Sequence, residues 1–282
     1  QEERMVRTMD KIPIKIEFPD LVTKTLSPLA DKIGATLADL WDISFGWIEN
    51  SREKIQYKRA LSLELFKESL EHGVSQIPPE NLCEPKISII GPAMEASKYY
   101  FEEKELREMF SKLIVCSLDS SKSNMVHPSF TEIIKQLSST DAILLKKISE
   151  YNDFIPARGC SIVMKIKGLK VMGQSPQEKT SPYTVTFPLD SQVSEQDQMV
   201  SLDNLKRLGL IQFKDLQLSE SSKYKFAKST SLYKDSQKEF DTLAKNGADP
   251  DYIHIHRKCF GLTATGIRFC NTCIADANTM EI

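Results

Sequence analysis

The segment Gly91–Ile148 constrains the fold of this chain most strongly, because several short amphipathic helices follow one another there with little connecting sequence. One of them carries a clean apolar face made of Leu106, Met109, Phe110, Leu113 and Ile114. Ser129 and Glu132 have the spacing of a capping box, and Ser138 and Asp141 give a similar signal for the start of a helix. The segment therefore predicts a compact helical domain.

Two longer helices are predicted before this segment. The first runs from Asp20 to about Ile48, with Asp20 as its N-cap, and the second from Ser51 to about His72, with Gly73 as its stop. Pro92 is expected to open the next helix, because proline suits a first helical turn. Residues 1–19 are interpreted as an N-terminal arm.

Helix 20–48 also has features that are found in membrane-associated helices. It carries a row of small residues and several aromatic residues, namely Ala30, Gly34, Ala38, Trp41, Phe45 and Trp47. Such rows allow close helix packing within bilayers, and interfacial helices often carry aromatic residues. Charged residues such as Asp31 and Asp39 interrupt any lipid-facing surface. Packing inside a helical bundle is therefore favoured, and a membrane-perturbing role for this helix remains an alternative.

Composition favours an intracellular globular protein. The chain has 282 residues, of which 40% are hydrophobic and 27% charged, with a net charge of −2. Six irregularly spaced cysteines do not resemble a disulfide framework, and no signal peptide or long apolar run is visible. The first residue is Gln, which suggests an incomplete or processed N-terminus. We expect a cytoplasmic location.

The second part of the chain mixes strands with helices. Strands are predicted at 160–167, 183–187 and 252–256, and helices at about 197–208 and 232–246. A turn at the start of GLTATGIRFC leads into a terminal helix with Thr263 as its cap. This order is typical of a winged helix. The predicted fold is mainly α with a smaller α+β part: a helical bundle at 20–137 and a winged-helix-like domain at 138–282, with an insertion at about 214–250.

Four motifs in this order resemble a bacterial family. They are GPAMEASKYYFEEKELREMFSKLI, HPSFTEIIKQLS, SLDNLKRLGLI and GLTATGIRFC. Together they are similar to the abortive infection alpha family, and the resemblance extends from about residue 12 to 275. It implies a role in defence against bacteriophage, in which an infected cell stops growing or dies before phage mature. It carries over no catalytic residue.

A C-terminal cluster of metal-ligand residue types is the most conspicuous candidate site. Its members are His254, His256, Cys259, Cys270 and Cys273. These types can hold zinc, but structural zinc sites more often combine two C-x-x-C pairs, or one such pair with H-x-x-x-H. Cysteine also serves as a small apolar residue in buried helices. We therefore expect no metal and no other cofactor.

Basic residues mixed with aromatic ones form the best nucleic-acid candidate. They lie at the end of the predicted helix 197–208 and in the insertion: Lys206, Arg207, Lys223, Tyr224, Lys225, Phe226 and Lys228. Lysine and arginine contact phosphates, and aromatic rings stack on bases. Asp197 and Asp203 beside Lys206 and Arg207 would repel phosphate. A solvated loop is the other interpretation.

Two further groups have structural interpretations. His127 precedes Pro128 at a helix entry, where it is expected to order a turn rather than act as a base. The acidic residues near Glu103 are expected to lie on a solvated helix face, with ion pairs from Glu103 to Arg107 and from Glu108 to Lys112.

The usual signatures of nucleotide-binding, zinc-protease and serine-hydrolase sites do not occur in the sequence. The leading hypothesis is a non-enzymatic defence protein that contacts an unidentified phage or host protein. A DNA-binding winged-helix module is the first alternative. Homo-oligomer formation is compatible with the sequence, and membrane association is not favoured.

Overall fold

The computed structural model of the protein describes residues 28–50, 57–151, 154–164, 178–186, 192–214, 228, 230–247 and 250–275. In these residues the chain is mainly helical, with one small antiparallel sheet, as expected. It divides into two compact units. The first falls within Gln1–Gln136 and Thr272–Ile282, and the second within Leu137–Asn271.

The first unit contains five α-helices among its described residues. They are α1 (Pro28–Asn50), α2 (Tyr57–Ser75), α3 (Ile87–Ser97), α4 (Lys104–Ser117) and α5 (Ser129–Ile134), with a 3-10 turn at Pro79–Asn81. Helix α4 packs against α2, α3 and α5, and α3 also contacts α1. Helix α4 is therefore the centre of this bundle.

An aromatic cluster forms the core between α1 and α2. Trp41 and Phe45 of α1 and Phe66 of α2 are fully buried. The ring centroids of Trp41 and Phe66 are 5.9 Å apart, and those of Phe45 and Phe101 are 6.1 Å apart with edge-to-face geometry. Such pairs add stability beyond the apolar area they bury. Trp41 and Phe45 were among the aromatic residues that suggested a membrane-associated helix, and both lie in the core of the bundle.

Two predicted helix boundaries were wrong. Helix α2 continues through Gly73 to Ser75, and Pro92 lies inside α3 rather than at its start. A Cβ atom on Gly73 would lie 2.6 Å from Val115 Cγ2 of α4, so the glycine allows close helix packing instead of ending the helix. Helix α3 tolerates Pro92 because its apolar face, including Ile90 and Met94, is buried.

The predicted capping boxes had different outcomes at two helices. Ser138 and Asp141 form a complete capping box at the start of the helix that opens the second unit. Ser129 is instead the first residue of α5, whose N-cap is Pro128 and has no side-chain cap hydrogen bond. The start of helix 20–48 and the start at Ser51 lie outside the described residues.

The second unit alternates helices and strands. Its elements are α6 (Ser139–Ser149), β1 (Ile155–Met164), β2 (Glu178–Thr186), α7 (Glu195–Arg207), β3 (Ile211–Lys214), α8 (Ser231–Lys245), β4 (Pro250–Leu262) and α9 (Ala264–Cys273). Strand β4 is longer than predicted and takes in Gly261 and Leu262, which were expected in a turn. Helix α9 continues from Asn271 into the residues assigned to the first unit.

The four strands are antiparallel neighbours in the order β2-β1-β4-β3. Strand β4 pairs with β1 from Ile155↔Phe260 onwards, and with β3 from Ile211↔Leu262 to Lys214↔Cys259. Helix α7 contacts α6, β2 and β3, and α8 contacts β1, β2 and β4. The pairing of β3 with β4 fixes the position of the turn that ends α7.

The end of α7 and the start of α9 are joined by one set of contacts. Gly209 has φ +72°, and the N–H of Leu210 donates to the carbonyl of Leu205, which completes a Schellman cap. Thr263 donates its N–H to the Leu210 carbonyl at 3.0 Å and its hydroxyl to the Gly209 carbonyl at 2.6 Å. The Thr263 hydroxyl also accepts from the N–H of Gly266, which confirms the predicted N-cap.

Gly266 is required at this junction because no side chain fits there. A Cβ atom at Gly266 would lie 1.9 Å from the Leu210 carbonyl oxygen, which is backbone and cannot turn away. We expect Gly266→Ala to lower the free energy of unfolding by at least about 2 kcal/mol. Chemical denaturation of the wild type and of the variant measures this difference in the free energy of unfolding.

Gly91→Ala is the matched control. Gly91 lies inside α3, where a Cβ atom would meet Ile87 Cγ2 at an ordinary 3.9 Å. Alanine should therefore leave stability unchanged or raise it by up to about 1 kcal/mol. Equal effects at the two glycines would contradict the proposed role of Gly266.

Candidate interaction surface

Helix α7 presents one exposed row of side chains. Gln196, Val200, Asp203 and Arg207 recur at the spacing of a single helix face, and all four are exposed. Val200 is 65% exposed, whereas the opposite face of the helix, which includes Leu202 and Leu205, is buried. We call these four residues the α7 row.

The sequence of α7 fixes both of its ends. The Ser194 hydroxyl accepts from the N–H of Asp197 at 3.1 Å and so caps the first turn. The first turn carries Glu195 and Asp197, and the last turn carries Lys206 and Arg207. These charges complement the helix dipole. They also give the exposed surface an acidic end and a basic end.

A chain of hydrogen bonds connects a buried carboxylate to the α7 row. Asp141 is 4% exposed, and its Oδ2 accepts from Ser138 N at 2.8 Å and from Asn204 Nδ2 at 2.9 Å. Asn204 Oδ1 in turn accepts from Arg207 Nε at 3.1 Å and from Arg207 Nη2 at 2.7 Å. The guanidinium of Arg207 is thereby held in a defined position at the surface.

Other basic side chains in this unit lie over aromatic rings. Lys206 Nζ is 5.6 Å from the centroid of Phe213, which stacks on Phe260. Lys214 Nζ is 4.2 Å from the centroid of Phe154. These cation–π contacts stabilise β3 against its neighbours.

The structure describes part of the predicted nucleic-acid set. Lys206, Arg207 and Lys228 are exposed. The others, Lys223, Tyr224, Lys225 and Phe226, lie outside the described residues. Arg207 is linked to Asn204 and Lys206 to Phe213, so the described basic residues at the end of α7 have protein partners of their own.

The zinc candidates are divided between two elements. Cys259 is buried in β4, and Cys270 and Cys273 are buried in α9. His254 is exposed in β4 beside Tyr252. The side chain of His256 is outside the described residues. Within the described chain no group of three or more His, Cys, Asp or Glu residues could hold a metal ion.

Burial also controls the chemistry of the thiols. Burial raises the pKa of Cys270 to about 12 and that of Cys116 to about 11. Burial raises the pKa of Cys259 too, although nearby Lys214 opposes this. Metal binding and redox chemistry use the thiolate form. Burial therefore favours the protonated form of all three thiols.

Of the predicted acidic cluster, Glu102 and Glu103 are exposed and Glu105 and Glu108 are half-buried, but two basic neighbours differ from the prediction. Arg107 is buried and donates to the carbonyl of Phe101 at 2.8 Å, and desolvation lowers its pKa. Lys112 Nζ donates to the carbonyl of Ile274 at 2.6 Å, just beyond the end of α9. Long aliphatic stems allow these charged groups to reach backbone acceptors.

His127 has the predicted structural role. Its Nδ1 accepts from the N–H of Ser129 at 3.2 Å and lies 2.7 Å from the Ser129 hydroxyl. The imidazole therefore orders the entry into α5.

Comparison with known proteins now assigns the chain to a family. The sequence model described as abortive infection alpha matches residues 58–273. The chain belongs to the abortive infection alpha family. The family match takes in the described chain from α2 to α9, including the junction between Gly209 and Gly266 and the whole of α7.

The comparisons with curated proteins and with solved structures give no further information about fold or function. No curated protein matches the chain. A solved structure, titled "Structure of the uncharacterized protein from the hydrocarbon-degrading marine bacterium Alcanivorax borkumensis SK2", is 13% identical, covers 55% of this chain and 96% of that chain, and has a TM-score of 0.33. A likeness at this level carries no structural or functional argument.

Among the helices that the structure describes, none is both long and apolar enough to cross a membrane. This includes the described part of the helix predicted at 20–48, which is α1.

Sequence reasoning missed the hydrogen-bond chain from Asp141 to Arg207. The capping-box signal at Ser138 and Asp141 was visible, but a capping carboxylate has a second acceptor position that sequence does not assign. Asn204 lies 63 residues away and fills it. The motif SLDNLKRLGLI does indicate the contact between Asn204 and Arg207, because residues three apart share one helix face.

The high thiol pKa of Cys270 gives a direct prediction. Iodoacetamide reacts with the thiolate, so under native conditions at pH 8 Cys270 should label much more slowly than half-buried Cys83. Mass spectrometry of tryptic peptides measures both rates. Labelling of both cysteines after denaturation is the control, and equal native rates would contradict the burial of Cys270.

Proposed function

We propose that this member of the abortive infection alpha family is a non-enzymatic, cytoplasmic anti-phage protein. It acts by binding a protein of the phage or of the host through the α7 row. The observation that carries the proposal is the composition of that row: an apolar side chain that is 65% exposed, Val200, lies between polar and charged residues. An apolar centre with a polar rim is the usual composition of a protein interface.

The charges of α7 favour a protein partner over a nucleic acid. Exposed Asp197 and Asp203 lie on the same helix as exposed Lys206 and Arg207. A DNA backbone is uniformly negative, so it would meet both carboxylates as it followed the helix. A protein can match each charge separately. The rigid attachment of Arg207 to Asn204 also suits a partner with fixed positions for its charges.

A DNA-binding winged helix is the second candidate, and the sheet order supports it. Strands β3, β4 and β1 are neighbours, and α7 directly precedes β3, as a recognition helix precedes its wing. Lys206 and Arg207 lie at the end of that helix. The same architecture also serves as a protein-binding module, so the fold alone does not decide between the two.

Phage challenge of cells that express the full chain tests the proposed function. Val200→Lys places a charge at the centre of the α7 row without removing buried contacts. We expect the efficiency of plating to rise at least about tenfold, because central interface residues dominate binding energy. Plaque counts measure this, and survival of the infected cells is scored in parallel.

Ile43→Lys is the matched control, because Ile43 is an exposed β-branched apolar residue of α1, outside the α7 row, and is 74% exposed. It should keep wild-type protection, and both variants should keep wild-type thermal stability. Full protection by Val200→Lys would overturn the assignment of function to the α7 row.

A further inference from the structure

We draw no further inference here: the strongest candidate, the pair of like charges that the sheet register places side by side at Arg158 of β1 and Arg257 of β4, carries nothing, because both side chains lie outside the described residues and nothing in the described part of the chain shows what balances their charges.

Discussion

The carbonyl of Leu210 is the group on which the arrangement of the second unit depends. It accepts from the N–H and the hydroxyl of Thr263, and it lies so close to Gly266 that no larger residue fits there. Because Leu210 follows the Schellman cap at Gly209, these bonds fix the end of α7 against the start of α9. Two motifs that are distant in sequence, LKRLGLI and LTATG, therefore form one structural junction.

This junction bears on the proposed function because Arg207 lies two residues before Gly209. A fixed helix end allows Asn204 to reach the buried carboxylate of Asp141, and Asn204 then holds Arg207 at the surface. Packing, capping and surface charge are thus coupled within a single unit. The α7 row lies on a helix that is capped at both ends, and side chains on helices and strands are positioned more precisely than side chains on loops.

Local signals in the sequence predicted those features that depend on neighbouring residues. This group includes the capping box at Ser138, the cap at Thr263 and the type of most elements. The family was predicted from the order of four short motifs along the chain. Gly73 was misread because only the approach of α4 shows why a glycine lies inside a helix. Arg107 was misread because its long side chain reaches a buried backbone carbonyl. The link from Asp141 to Asn204 joins residues 63 apart, and no local rule predicts such a contact.

The central claim is that the exposed row of α7 contacts a protein during infection. Site-specific photo-crosslinking in phage-infected cells tests it most directly, with the photoreactive residue placed at Val200 in one strain and at Ile43 in another. The account predicts a discrete protein adduct that forms from position 200 only after infection and does not form from position 43. Adducts of equal yield from both positions, an adduct to nucleic acid, or no infection-dependent adduct from position 200 would contradict it.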